Sequence, residues 1–248
     1  MEVVSVERLE KRFGDVVALA DATFTIEGPG LTGILGPNGA GKSTLLDILE
    51  GLAAPTSGTV RVLGGPLSPY PRRRVGVVLQ KEAQLERCTT AEYAELFASI
   101  YGVPNGRETI LRRASLVERA RVDMTRLSGG EAARLFIAAA LIHDPELVFL
   151  DEPTAALDPR SKLEIGRMLR DVATERAVVL TTHDLREADA LCDRLVFLVG
   201  GKVRACGTRE DLVAAVPEQA AGAIGVEAAF FHFCSVRMRG GDVVEGEP

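Results

Sequence analysis

Residues 31–44 read LTGILGPNGAGKST, a short apolar run followed by a glycine-rich turn that closes on Gly41-Lys42-Ser43-Thr44. The turn matches G-x-x-x-x-G-K-[ST], and it stands where that pattern carries meaning, after a strand-like run and before the helical pattern STLLDILEGL. Gly36, Pro37, Asn38, Gly39, Ala40, Gly41, Lys42, Ser43 and Thr44 therefore read as a phosphate cradle. Glycines let backbone N–H groups approach phosphate oxygens, and the helix that follows points roughly +0.5 of an elementary charge at them. Lys42 is expected to reach the β- and γ-phosphates, and the Ser43 hydroxyl to ligate Mg²⁺. The alternative is an ordinary strand-to-helix turn with a solvated lysine, and the flanking segments speak against it.

A cradle of this kind needs carboxylates at a neighbouring strand end. LVFLDE (residues 147–152) supplies them. Four apolar residues bury a strand, and Asp151 and Glu152 emerge at its C-terminal end, where open parallel sheets bind ligands. Asp151 is placed to hold Mg²⁺ through its water shell, and Glu152 to polarise an attacking water. Two further runs end in polar residues, VGVVL in Gln80 and AVVLTT in His183. A lone histidine is usually structural and a lone glutamine carries little signal. Together with the two carboxylates they suit groups that sense and hold a γ-phosphate, with Gln80 also in reach of the metal. The chemistry implied is hydrolysis of a nucleoside triphosphate, ATP, with Mg²⁺.

The apolar runs alternate with helical patterns, which predicts an α/β fold around a mostly parallel sheet. The first 30 residues read instead as antiparallel strands. RLVFLVGGKVRACG (194–207) reads as a hairpin around Gly200-Gly201, and the pattern between Gln80 and Ser128 is helical. The fold class expected is thus a phosphate-loop NTPase core with an N-terminal antiparallel β subdomain and an inserted helical subdomain. At 248 residues the chain is long enough to bury a sizeable core. The start, MEVVSVERLEKRF, shows no secretory pattern, and the most apolar late stretch, residues 220–233, is shorter than the roughly 18 residues of a membrane span and carries Glu227. The net charge of −6 gives no field favouring nucleic acid, and the one basic cluster, PRRRVG (71–76), reads as a solvated loop. The four scattered cysteines have no metal-ligand spacing.

A second glycine turn, LSGGE at 127–131, has no lysine. Ser128 and the free N–H groups of Gly129 and Gly130 begin a helix expected over 130–142, and locally this is no more than a serine cap with Glu131 in the first turn. Its company gives it meaning. GPNGAGKST, Gln80, LSGGE, LVFLDE, AALD (155–158) and His183 occur in the order found in the nucleotide-binding subunits of ATP-binding cassette (ABC) transporters, and over about residues 2–213 the chain resembles that family. The resemblance makes these pieces the Walker A, Q-loop, signature, Walker B, D-loop and H-loop. It implies that two subunits pair head to tail, each ATP lying between one subunit's Walker A and the other's signature. Ser128, Gly129 and Gly130 would then serve the partner's nucleotide, and Asp158 would link the subunits. The D-loop has Ala155 where many members carry Ser or Gly, so a hydroxyl contact there is absent. Phe13 falls where the family places an aromatic that stacks on adenine; burial in the core is the competing reading.

The resemblance implies an ABC ATPase domain over 1–213, with a helical subdomain at about 85–140, and a short, partly loose C-terminal extension over 214–248. It implies a separate transmembrane permease as partner, a homodimer or paralogue heterodimer of ATPase subunits, and a cytoplasmic protein held peripherally on the inner face of the cell membrane. Residues 31–64, 89–102 and 181–195 are similar to the bacterial exporter branch that serves drugs, antibiotics, lipids or polysaccharides. An importer subunit, a non-transport ABC ATPase, or a module using ATP only as a clamp are the alternatives. The absence of a second cassette or a long inserted coiled coil weighs against the second, and intact Glu152 and His183 weigh against the third.

Overall fold

The computed structural model describes residues 1–79, 87–217, 224–234, 236–239 and 242–245. The chain opens with β1 (Glu2–Phe13) and β2 (Val16–Glu27), an antiparallel pair. It then leaves through β3 (Gly30–Leu35) and α1 (Lys42–Leu49) for a second sheet. β4 (Ser57–Val62) and the short β5 (Gly65–Pro66) return to complete a four-stranded antiparallel layer in the order β2-β1-β4-β5.

The second sheet takes β6 (Val75–Val78), β7 (Leu147–Asp151), β8 (Ala177–Thr182), β9 (Arg194–Val199) and β10 (Lys202–Thr208). Its order is β10-β9-β3-β8-β7-β6, and every neighbouring pair except β9 and β10 is parallel. The hairpin around Gly200-Gly201 is present, but its first strand lies inside this parallel sheet. All of Leu195 to Val199 is buried, which suits a strand covered on both faces.

Successive side chains alternate between two apolar clusters, as a two-residue period requires. Val148, Leu150, Val178, Leu180, Leu195 and Phe197 meet helices on one face. Leu147, Phe149, Val179, Val196 and Leu198 meet α1 and the antiparallel layer on the other. Each large side chain so buried contributes roughly 1.5–3 kcal/mol, so this double covering fixes the strand register and with it the strand ends that carry the polar residues.

The insertion holds α2 (Thr90–Tyr101), α3 (Gly106–Arg113) and two 3₁₀ turns, Val117–Arg119 and Met124–Arg126, before α4 (Gly129–Ala140). Thr89 and Glu92 close a reciprocal capping box at the start of α2. The helical pattern expected between Gln80 and Ser128 is broken after Arg113, where Ser115 takes a left-handed conformation. α2, α3 and α4 share a third apolar cluster that includes Tyr93, Ile110, Leu116, Met124 and Leu135.

α5 (Pro159–Ala173), α6 (Leu185–Leu191), α7 (Arg209–Ala214) and α8 (Gly225–Cys234) cover the first face of the parallel sheet. Within the extension after residue 213, α8 is part of the core. Phe230 packs edge-on against Phe197 of β9 with ring centroids 5.3 Å apart, which accounts for the apolar stretch at 220–233. Further on, β12 (Asp242–Glu245) pairs antiparallel with β11 (Val236–Arg239). The Gly-Gly pair between them in sequence is a hairpin signal.

Candidate nucleotide site

The ends of β3, β7 and β8 bring Lys42, Asp151, Glu152 and His183 together beside the start of α1. That helix starts with Gly41 in a left-handed conformation and has no side-chain cap and no acid in its first turn. Its orphan N–H groups are therefore open to an anion, unlike those of α2, α4 and α5, whose first N–H groups bind Thr89, Ser128 and Asp158. Only glycine suits position 41. Its φ is +99°, and a Cβ there would lie 2.6 Å from the Ala18 carbonyl oxygen on β2.

Lys42 is 5% exposed, and its Nζ donates to the carbonyls of Gly36 (2.8 Å) and Pro37 (3.1 Å). Burial holds its ammonium below the ordinary lysine value, against the opposing pull of Glu152 and Asp151. The Nζ lies 3.8 Å from Glu152 Oε1, and His183 Nδ1 lies 3.2 Å from the same oxygen. Glu152 itself sits at φ +48°, a conformation that costs of order 1–3 kcal/mol for a residue of this kind and clusters at functional sites. Its backbone N–H donates to Thr181 Oγ1 at 2.9 Å, and the Thr181 hydroxyl in turn donates to Asp151 Oδ1. β7 and β8 pair Asp151 directly with Thr181, so the register of the sheet creates this contact.

Sequence reasoning passed over Thr181 and the groups behind it. Thr182 Oγ1 donates to Glu187 at 2.9 Å, and Thr154 donates to the other oxygen of the same carboxylate. This ties the turn after Glu152 to α6 and to the segment carrying His183. The signal was present as two threonines ending an otherwise apolar strand.

Ser128 caps α4 through a reciprocal box: its Oγ accepts from Glu131 N–H at 3.3 Å, and its own N–H donates to the Glu131 carboxylate at 2.9 Å. Gly130 is buried against α5, where any Cβ would run into the Ser161 side chain. Ser161 Oγ donates to Asp158 at 2.6 Å, and Asp158 also caps α5. The 127–131 turn and the 155–158 turn are thus braced against each other within one chain. Gly129, Glu152 and Leu157 line one crevice, and none of residues 36–44 lines it.

Phe13 is 56% exposed at the end of β1, with Lys11 Nζ 4.8 Å from its ring centre, so it is not a core residue. Gln80 lies outside the described residues. The oxygen donors at hand, the Ser43 hydroxyl and the Asp151 carboxylate, are of the kind Mg²⁺ takes when substrate phosphates supply further ligands.

A family model described as ABC transporter matches residues 19–155, more than half of the chain. The chain belongs to the ABC transporter ATP-binding family. It is 36% identical over 223 residues to the Nod factor export ATP-binding protein I of Rhizobium etli, covering 86% of this chain and 70% of that one. It is 40% identical over 209 residues to the protein of the same name in Sinorhizobium fredii, covering 80% and 61%. Among solved structures, the ATP-binding subunit of an ABC transporter superposes with a TM-score of 0.80 at 25% identity, over 93% of this chain and 99% of that one. A dimeric ATP-binding cassette in a post-hydrolysis state, bound to ADP and phosphate, gives 0.74 at 28% identity over 83% and 98%. This ABC protein is accordingly an ATPase subunit of a transporter. Among its described residues no helix is long and apolar enough to cross a membrane.

Proposed function

We propose that this chain is the ATPase subunit of an exporter, working as a head-to-tail dimer on a separate membrane permease. The observation that carries the catalytic part is the convergence of Lys42 and His183 on one oxygen of a conformationally constrained Glu152. Lys42 and the open N–H groups of α1 hold the phosphates. The Glu152 carboxylate takes a proton from the attacking water, and His183, within hydrogen-bond reach of Glu152, orients it and faces the γ-phosphate. Ser43, Asp151 and Gln80 would hold Mg²⁺, which would supply charge neutralisation at the phosphates. Thr181 keeps Asp151 and the Glu152 backbone in place. Phe13 offers an exposed ring for adenine. Ser128, Gly129 and Gly130 receive the γ-phosphate bound to the partner copy, and Asp158 links the two copies while capping its own α5.

Export as the direction of transport is supported by the Nod factor export relatives. The permease is the route by which the subunit is held on the inner face of the membrane. The test is co-expression with the permease encoded beside it, isolation of membranes and measurement of ATPase activity with and without that permease. Co-sedimentation and stimulated turnover are expected. A protein that stays in the soluble fraction with unchanged turnover beside every adjacent membrane protein overturns the transport assignment.

A further inference from the structure

The 127–131 turn is held by more than its own capping box. Arg119 closes the 3₁₀ turn Val117–Arg119 and reaches both flanks of the glycine turn. Its Nη2 donates to the Arg126 carbonyl at 3.1 Å, just before the turn, and to Glu131 Oε2 at 3.4 Å, just after it. The same Glu131 oxygen receives the Ser128 N–H. The main chain that carries Arg119 is fixed from behind: Arg119 N–H donates to Leu116 O at 3.0 Å, Val122 N–H donates to Arg119 O at 2.9 Å, and Leu116 and Met124 are buried. Arg134, the other cation near Glu131, is engaged with the Ala114 carbonyl and Glu164.

We propose that Arg119 is a positioning residue for the signature turn, clamping the Arg126 carbonyl and the Glu131 carboxylate so that Ser128 and Gly129 meet the γ-phosphate carried by a second copy. This rests on the dimer reading above. Both contacts come from one nitrogen, Nη2, so a shorter-reaching lysine ammonium can restore them only as far as its length allows. Without the clamp the turn keeps its capping box but gains freedom to rotate about it. The cost falls on the reaction of the assembled dimer, while nucleotide binding to Lys42 and α1 is untouched.

The test compares wild type, Arg119→Ala and Arg119→Lys for kcat and for nucleotide affinity, and repeats ATP-driven dimerisation on a Glu152→Gln background. Arg119→Ala is expected to lower kcat about tenfold, the effect of losing one charge-assisted hydrogen bond, with nucleotide affinity unchanged. Arg119→Lys should recover part of the loss. In Glu131→Ala the further change Arg119→Ala should cost less, since the Arg119–Glu131 contact is already gone and only that with the Arg126 carbonyl remains. If Glu152→Gln does not dimerise with ATP, the dimer reading fails and this inference with it. If it dimerises equally well with and without Arg119, or if Arg119→Ala keeps wild-type kcat, the inference alone is overturned. Should Arg119→Ala fail to fold, Arg119→Gln and Arg119→Lys carry the same comparison.

Discussion

Lys42 Nζ and Glu152 Oε1 stand 3.8 Å apart with only 5% and 11% of their side chains exposed. A carboxylate that close to a desolvated ammonium is held in orientation by it, on a backbone itself fixed in the left-handed region. Glu152→Gln should therefore lower steady-state ATP hydrolysis by about 10²–10⁴-fold, the range for a lost general base, while ATP binding measured by equilibrium titration survives. Normal turnover in that variant would remove Glu152 from the chemistry.

Thr181 is the hinge between the two acids, accepting from Glu152 N–H and donating to Asp151. Thr181→Val keeps the shape and the β-branch but leaves both partners unsatisfied in a buried setting. A stability loss of roughly 1–3 kcal/mol is expected from denaturant unfolding. The Mg²⁺ concentration for half-maximal ATPase should rise as well. Unchanged metal dependence would confine Thr181 to a packing role.

Ser128→Arg places a long cation at the turn proposed to serve a second copy. Hydrolysis should vanish while the single chain still binds ATP, measured by a fluorescent-nucleotide titration under conditions that keep it monomeric. Loss of that binding would assign the turn to its own chain's nucleotide.

Glu50 lies at the C-terminal end of α1, 5% exposed, with one carboxyl oxygen buried and unpartnered. Burial first, then the charges of Asp47 and Asp151, push its carboxyl up to about 8. The helix end disfavours a negative charge there too. Because the folded value lies above the unfolded one, the folded state binds more protons between about 4.5 and 8. The associated stability is present in full below that window and is lost as pH rises through it. Between about pH 6 and 8 the loss is on the order of 2 kcal/mol, a melting-temperature drop of roughly 4–8 °C. Glu50→Gln should melt at nearly constant temperature across that range in calorimetry. A wild-type protein with no such drop would show that Glu50 is ionised throughout.

The sites legible in the sequence were those whose chemistry is written in residue type at a strand end: Lys42 in its glycine turn, Asp151 and Glu152 after Leu150, His183 after Thr182. Their neighbours in space were not legible, because Thr181 and Asp151 meet only through the β7–β8 register and Glu187 meets Thr154 only through folding. The apolar stretch at 220–233 could be seen as apolar but not as a core helix, since its partner Phe197 lies on a strand read only as part of a hairpin. Likewise the clamp on Glu131 comes from Arg119, twelve residues away in a segment without regular pattern.

The signature helix α4 belongs to two clusters at once. Ile137, Ala140 and Leu141 face the sheet, while Leu135, Ala138, Ala139 and Ile142, the last just past the helix, face α2 and α3. Its outer partners make their own core, smaller than either cluster on the sheet. Native-state amide exchange should therefore find α2 and α3 opening at lower free energy than β7 and β8, with α4 between them. In the dimer proposed above, the glycine turn at the start of α4 would then sit at the seam between a firmer and a softer folding unit, and the balance between them would set how often the turn is correctly presented when two chains meet.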